Sequence, residues 1–504
     1  MKRALISVSD KNEITSFAKG LLKLGYQIVS SGGTAKKLQE SDIEVTLVSE
    51  VTKFPEMMNG RVKTLHPKIH GGILADKNNP VHIEEAKKME IPLFDIVVVN
   101  LYPFEKKLNQ NAPHDVMIEN IDIGGPTLIR SAAKNHKSVL IITDFDDYEE
   151  LQGNSIEDEY RLELALKAFE YTAHYDTMIT DYFSQLIEVP EKEELIVEIP
   201  LKSELRYGEN PHQKAEYYEV MGTELIEKLH GKSLSYNNYL DIDSALKTIN
   251  KFTKPTVAIF KHTNPCGIAS HSNLTEAYKN AFATDTLSPF GGIVIVNRTL
   301  DMKTALEINK IFTEIIIAPD FAEGVLKRLM KKKNRRLLKY FPDRISELKG
   351  EPAIVSCLNG LLCQDIDVNT DQEEKWEIVT DKKPNEAEME ELKFAWNTVA
   401  SLKSNAVAFT KKDRTIGLGI GQPSRIDSTE IAVAKAKKFS LDIKNSVCAS
   451  DGFFPFADSI ETIKNLGVKA VIQPGGSRGD KDVIEACNKY GISMVFTKTR
   501  HFRH

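Results

Sequence analysis

Cysteine is scarce in this chain of 504 residues: there are five, at positions 266, 357, 363, 448 and 487, and no two form a Cys-x-x-Cys pair. That excludes a disulfide framework and makes a structural zinc site a poor expectation; a reducing, cytoplasmic compartment fits. A basic excess is also missing. Lysine and arginine number 66 against 72 acidic residues, for a net charge of −6. This argues against a general nucleic-acid binder, but a local basic cluster remains free to take a small anionic ligand. No apolar run approaches the roughly 18 residues of a membrane span. The opening "MKRALISVSD" has two positive charges but no long apolar segment behind them, so no secretory signal is expected.

What is present reads as alternating strands and helices. "ALISVSD" is a strand, "KNEITSFAKGLLKLG" a helix ending at Gly25, "YQIVSSGG" a strand, "TAKKLQES" a helix and "EVTLVSE" a strand. "FDIVVVNLYPF" and "SVLIITD" are further buried strands, and helices from about 157 to 186 close the unit. Such alternation predicts a doubly wound parallel α/β sheet. The acidic stretch from Glu188 to Pro200, with proline near both ends, reads as a linker. The expected division is a domain over 1–190, a linker over 191–200 and a second region over 201–504.

The second region carries a weak internal repeat. "TVAIFKHTNPCG", the helix "LTEAYKNAFATD" and "SPFGGIVIV" are echoed by "NAVAFTKKDRTIGLGIGQPSR", the helix "STEIAVAKAKKF" and "DGFFPFADSIE". Each half reads as strand, turn, helix and Pro-Phe loop, which predicts two α/β units over about 201–366 and 390–504. An acidic segment before 390 joins them.

Several short motifs carry chemistry. Ser31, Gly32, Gly33 and Thr34 lie between a strand and a helix. Free N–H groups at a helix start, together with two hydroxyls, suit a phosphate; a plain turn with a threonine cap is the alternative. "GRVKTLHPKIHGG" concentrates Arg61, Lys63, His66, Lys68 and His70 in a Gly-flanked loop, either a shaped site or a solvated basic surface. Tyr102 follows a buried strand, the place where doubly wound sheets bind ligands. Asp122 precedes Gly124-Gly125-Pro126 at a helix start, and Lys134 lies near that helix's end, where it also complements the dipole. Together Lys63, Tyr102, Asp122 and Lys134 are groups able to polarise an oxygen and move protons. Lys261 and His262 sit where the apolar run "TVAIF" leaves the core.

The ordered set "SGGTA", "GRVKTLHP", "NLYPF", "IDIGG", "AAKNH", "LRYGENPHQ", "KHTNPCG", "SPFGGIV", "IIIAP", "KSNAV", "GQPSR", "FFPFAD" and "RHFRH" spans essentially the whole chain. It resembles the bifunctional purine-biosynthesis family that joins AICAR (aminoimidazole carboxamide ribonucleotide) formyltransferase to IMP (inosine monophosphate) cyclohydrolase. The resemblance implies formyl transfer from 10-formyltetrahydrofolate to the AICAR amine, then dehydrative closure of formyl-AICAR to IMP. It implies a methylglyoxal-synthase-like N-terminal domain and two cytidine-deaminase-like units behind it. It implies a homodimer with formyltransferase sites at the interface, small-molecule nucleotides and folate as partners, and neither nucleic acid nor membrane. No metal is implied, because the H-x-E and P-C-x-x-C zinc signature of true deaminases is missing. Cys266 then reads as packing.

By matching position, Lys63, Tyr102, Asp122 and Lys134 are implied as catalytic in cyclisation, with Ser31, Gly32, Gly33, Thr34 and Arg61 binding its substrate. Lys261 and His262 are implied as catalytic in formyl transfer: histidine titrates near neutrality and lysine stabilises a developing oxyanion. Arg206 and Tyr207 would contact AICAR, with the arginine on phosphate. Glu314 would recognise AICAR, and Asn405 would hold its carboxamide or position His262. Arg425 and Phe453 would line the nucleotide pocket, Asp458 the folate side, and His504 would reach the phosphate.

Overall fold

The computed structural model describes residues 2–148, 157–187, 199–219, 224–347, 352–367 and 373–504. Two compact units divide the chain, Met1–Glu198 and Ile199–His504. Residues 188–198, most of the expected linker, lie outside the described residues.

Unit 1 is built on a five-stranded parallel sheet: β1 (Lys2–Val8), β2 (Tyr26–Ser30), β3 (Thr46–Leu47), β4 (Ile96–Asn100) and β5 (Leu140–Ile142), in the order β3-β2-β1-β4-β5. The central strands are buried on both faces, as the unbroken run "IVVV" of β4 requires. Helix α1 (Ile14–Lys23) buries Ile14, Phe17, Ala18 and Leu21, one stripe of a 3.6-residue period. Helices α2 (Gly32–Gln39), α3 (Val48–Thr52), α4 (Pro67–Leu74), α5 (Pro80–Lys88), α6 (Phe104–Asn109), α7 (His114–Glu119) and α8 (Gly124–Lys134) follow along the chain.

Two expectations are corrected here. The strand expected at "EVTLVSE" is two residues long, because the chain turns into α3 at Val48, where the Glu50 carboxylate accepts the Leu47 N–H at 3.1 Å. The helices expected over 157–186 are one helix, α9 (Asp158–Ser184), which buries Leu164, Ala165, Ala168, Thr172 and Tyr175.

Unit 2 opens with the hairpin β6 (Leu201–Leu205) and β7 (Ala215–Tyr218). Its first half contains β8 (Ile226–His230), α10 (Tyr236–Ile249), β9 (Thr256–Lys261), β10 (Asn264–Ser270), α11 (Leu274–Thr284), β11 (Ile293–Val296), α12 (Met302–Ile308), β12 (Ile315–Ala318), α13 (Val325–Leu329), β13 (Arg336–Tyr340) and α14 (Pro342–Glu347). A separate exposed hairpin, β14 (Pro352–Cys357) and β15 (Gly360–Asp365), follows. The second half contains β16 (Glu377–Ile378), α15 (Glu386–Val399), β17 (Val407–Thr410), β18 (Thr415–Gly419), α16 (Arg425–Lys438), β19 (Val447–Ser450), α17 (Asp458–Asn465), β20 (Ala470–Gln473), α18 (Asp480–Tyr490) and β21 (Ser493–Phe496).

The suspected repeat is a repeat of topology. One sheet runs β10-β9-β11-β12-β13-β8 and the other β18-β17-β19-β20-β21-β16, with parallel and antiparallel pairs in the same places. The second unit starts at Glu377, ahead of the expected 390. The two Pro-Phe loops are not equivalents: "SPFGG" precedes β11, whereas "FFPFAD" follows β19. In each half the first helix is followed by a hairpin, β9–β10 or β17–β18, so "NPCG" continues as a strand. The chain turns only at His262 and Thr263, and Pro265 is tolerated because β10 is an edge strand. Among the described residues no helix is long and apolar enough to cross a membrane.

Candidate functional site

Unit 1 has a cavity of about 540 Å³ beyond the carboxyl ends of β1, β2 and β4. Strand order reverses direction between β1 and β4, and such a switch point leaves a crevice there. Ser31, Gly33, Thr34, Arg61, Lys63, Tyr102 and Asp122 all line it.

At its floor, α2 starts at Gly32 with Ser31 as cap, and the Ser31 hydroxyl makes no capping bond. Gly32 has φ +53°, and a Cβ there would lie 2.8 Å from Lys63 Nζ. Gly60, at φ +85°, would bring its Cβ to 2.6 Å from Lys63 Cε. The Lys63 ammonium thus threads between two glycines, and Glu56 lies 3.8 Å from it. The Thr34 hydroxyl, expected to face a ligand, instead accepts the Val8 N–H at 3.1 Å and donates to the Val8 carbonyl at 2.9 Å. What Thr34 offers a phosphate is its backbone N–H in the first turn of α2.

Asp122 accepts the Gly125 N–H at 2.8 Å, and its own N–H donates to the Tyr175 hydroxyl at 2.8 Å. Burial raises its carboxyl above the usual range, against the lowering effect of N–H groups from Gly125, Tyr102 and Gly124. Tyr102 is pushed up by burial and by the Asp122 and Glu56 charges. Arg61 pairs with Glu119 at the exposed rim.

Lys134 stands apart from this group. It ends α8, whose first residues line the cavity, and eleven helical residues span about 16 Å. It faces a second groove with Leu74, Arg130 and Phe169. Sequence reasoning missed Ser9, Lys11 and Asn100, which also line the cavity. Asn100 accepts the N–H groups of Ser9 and Asp10 at 2.6 and 2.9 Å, fixing the loop after β1. Ser9 and Lys11 follow the first strand and Asn100 ends β4, and those positions were the available signal.

In unit 2 the expected residues fall into two groups. The first surrounds α10. Lys261 and His262 lie at the β9–β10 tip, where the Lys261 ammonium donates to the Phe290 carbonyl at 2.9 Å and His262 is exposed. The motif "SPFGG" explains that contact: a Cβ at Gly292 would lie 2.5 Å from the Phe260 carbonyl oxygen, so only glycine lets the loop approach the end of β9. Glu314 accepts from Asn238 of α10 at 3.2 Å and from Arg336 at 2.8 Å. The Arg206 guanidinium lies over the Tyr207 ring at 5.4 Å. Their loop reaches α10 through Asn237, which donates to the Glu209 carbonyl at 3.3 Å, and Tyr217 of β7 stacks on Tyr239 at 4.0 Å.

The second group lies in the second half. Arg425 pairs with the fully buried Asp451, donates to Ser450 at 2.7 Å and reaches Asn405 Oδ1 at 2.9 Å. The Asn405 amide donates to the carbonyls of Gln422 and Pro423 at 2.9 and 3.0 Å. The guanidinium expected to line a pocket is therefore engaged within the protein, and Asn405 sits with it rather than at the His262 tip. Phe453 is 42% exposed, and Asp458 is exposed at the start of α17. The tail is anchored by Arg503, which donates to the Ser401 carbonyl at 3.1 Å and to Ser244 of α10 at 2.5 Å, leaving His504 exposed. Cys266 is a packing residue, its thiol pushed up to about 12 by burial.

Helix α10 was not singled out in the sequence, yet it meets every part of the first group. Its signal was a capping box of Ser235 and Asn238 followed by the polar residues Asp241 and Asp243.

Comparison with known proteins identifies the family. A family model for an MGS-like domain matches residues 13–127, and one for the AICARFT/IMPCHase bienzyme matches residues 132–435. The chain is 48% identical to the bifunctional purine biosynthesis protein PurH of Persephonella marina over 518 residues, covering all of both chains. It is 49% identical to the PurH of Chlorobium chlorochromatii, covering all of this chain and 99% of that one. The PurH of Ligilactobacillus salivarius is 46% identical over all of both chains. With a bienzyme model matched over more than half its length and full-length relatives near half identity, this chain belongs to the AICARFT/IMPCHase bienzyme family.

Proposed function

We propose that the family's two activities divide between the two units, cyclisation in unit 1 and formyl transfer in unit 2. The chain is a bifunctional enzyme of purine biosynthesis, an AICAR formyltransferase and IMP cyclohydrolase. The observation that carries the division is the unit 1 cavity, which gathers a helix start, a lysine, a tyrosine and a buried carboxyl within one unit.

In ring closure the carboxamide nitrogen attacks the formyl carbon, and the formyl oxygen gains negative charge. Lys63 and the Tyr102 hydroxyl stabilise that oxygen. Asp122, its carboxyl raised by burial, accepts the nitrogen's proton. The N–H groups of Gly32, Gly33 and Thr34, with Ser31, hold the ribose phosphate, and Arg61 closes the rim. Loss of water completes the ring. Lys134 has no part in the cavity of its own chain.

Formyl transfer begins with a weak nucleophile, because the AICAR amine lone pair is delocalised into the ring and carboxamide. His262 takes the amine proton as the bond to the formyl carbon forms. Lys261, steadied by the Phe290 carbonyl, stabilises the oxyanion. The folate nitrogen leaves with a proton, and 10-formyltetrahydrofolate is the co-substrate. Arg206, Tyr207 and Glu314 hold AICAR. Phe453, Asp458 and His504, exposed in the second half, would be set opposite the first group by a homodimer, and Arg425 and Asn405, whose polar groups are taken within the protein, would support that half. A cytoplasmic location fits the exposed thiols of Cys357 and Cys363.

Expressing residues 1–195 alone tests the division. The fragment should cyclise formyl-AICAR and transfer no formyl group. A folded fragment without cyclisation would overturn it.

A further inference from the structure

The tip that carries His262 is a two-residue turn with both residues in the left-handed region, His262 at φ 52° and Thr263 at φ 63°. A β-branched residue there is strained and needs support from its surroundings. Support comes from α10: the Thr263 N–H donates to Asp241 Oδ1 at 2.6 Å. The second half of the unit repeats this device. Its tip, Lys412 and Asp413, has φ 56° and 53°, and the Lys412 N–H donates to Glu391 Oε1 at 3.2 Å. Asp241 and Glu391 are each the sixth residue of their helices. The duplicated carboxylates differ in their charge partners. Glu391 is paired with Lys469 at 3.0 Å. The charged groups acting on Asp241 are His262, from the tip, and Glu314, from the approach to β12. Cys266 on β10 also senses Asp241, together with Lys261, Asp285 and Lys435.

A cap alone would use the same chemistry in both halves. In the half that bears a histidine at its tip, no lysine is among the charged groups acting on the carboxylate, and the histidine directly precedes the residue whose N–H the carboxylate accepts. We propose that Asp241 is the positioning residue of formyl transfer: it fixes the strained turn through Thr263, the residue after His262, and its negative charge stabilises the imidazolium formed as the amine proton is taken. This deepens the reading of the Lys261–His262 tip and rests on it. Burial holds the Asp241 carboxyl above its ordinary range, the Thr263 N–H and His262 pulling it back and Glu314 pushing it up.

Asp241→Asn tests this in the full-length enzyme, because it keeps an oxygen acceptor for Thr263 and removes the charge. Formyl transfer to AICAR is measured across the acid and neutral range. The expected result is a fall in kcat of about 10- to 100-fold, the scale for losing a group that orients and balances a catalytic one, with KM for AICAR changed by less than about threefold. The acid limb of the pH profile moves to lower pH. Thermal stability at neutral pH is kept or raised, and cyclisation is unchanged. In a His262→Ala background the same substitution has no further effect. Glu391→Gln, the control in the other half, leaves the pH profile in place. An Asp241→Asn enzyme with unchanged kcat and pH profile overturns the proposal, as does an equal loss in the His262→Ala background. Failure of the underlying reading is told apart by His262→Ala itself, which would then retain formyl transfer.

Discussion

The two halves of unit 2 share a sheet order and a hairpin with a left-handed turn, yet the two hairpin tips are used differently. In the first half the tip is "KHTN" and His262 is exposed. In the second it is "KKDR", where Lys412 is exposed but Asp413 and Arg414 are engaged with the first half. Asp413 takes Lys254 at 3.0 Å, its carbonyl accepts the Ser270 N–H at 2.8 Å, and Arg414 forms an isolated bridge with Ala269. Duplication supplied two equivalent positions at the end of a buried strand. One presents the groups proposed to react; the other ties the halves together.

The sharpest way to break that comparison is to exchange losses between the tips. His262→Ala should lower formyl transfer by roughly 10² to 10⁴, the usual range for a general acid or base. Lys412→Ala, the equivalent tip position, should stay within about twofold, since tip charges at an exposed rim contribute little. Steady-state rates of both variants decide it, and equal losses would erase the distinction.

A second contrast is between ion pairs. Arg425 and Asp451 are buried, so Arg425→Ala leaves an unpaired carboxylate in the core and should lower stability by about 3–5 kcal/mol. Arg61 and Glu119 are exposed, and Arg61→Ala should change stability by less than about 1 kcal/mol. Denaturant unfolding of the two variants measures both, and comparable losses would contradict the assigned burial.

Asp122 makes a smaller, signed prediction. Its carboxyl is raised by burial, so the charged form is penalised in the fold relative to the unfolded chain. The associated stability is complete below the ordinary carboxylate range and is lost as pH rises through the raised value. Asp122→Asn should therefore raise Tm at neutral pH, have little effect at acid pH, and impair cyclisation. A lower Tm at neutral pH would reverse the sign. The smallest effect is expected at Cys266, where burial keeps the thiol protonated. Cys266→Ala should leave formyl transfer within about threefold.

The doubly wound sheet and the repeat were legible because apolar runs and helical stripes are local patterns, as in β4 and α1. Ser31, Gly33, Thr34 and Tyr102 were legible because each lies just past a strand, and Arg61, Lys63 and Asp122 because each belongs to a short glycine-bounded motif. Side-chain commitments were not. That the Thr34 hydroxyl is taken by Val8, or Arg425 by Asp451, depends on contacts 26 residues apart in each case. The distance of Lys134 from the cavity follows from the length of α8, a count the motif "AAKNH" does not contain. Asp241 was overlooked because its importance comes from a hairpin that the sequence suggested was a loop.

The central claim is that two separate residue sets carry two consecutive reactions. The most direct test supplies AICAR and the formyl folate to Lys63→Ala and follows the products with time. Formyl-AICAR should accumulate at an undiminished rate while its conversion to IMP falls about 10²- to 10³-fold, the scale of losing one oxyanion donor. A folded Lys63→Ala enzyme in which both reactions slow together would contradict the account.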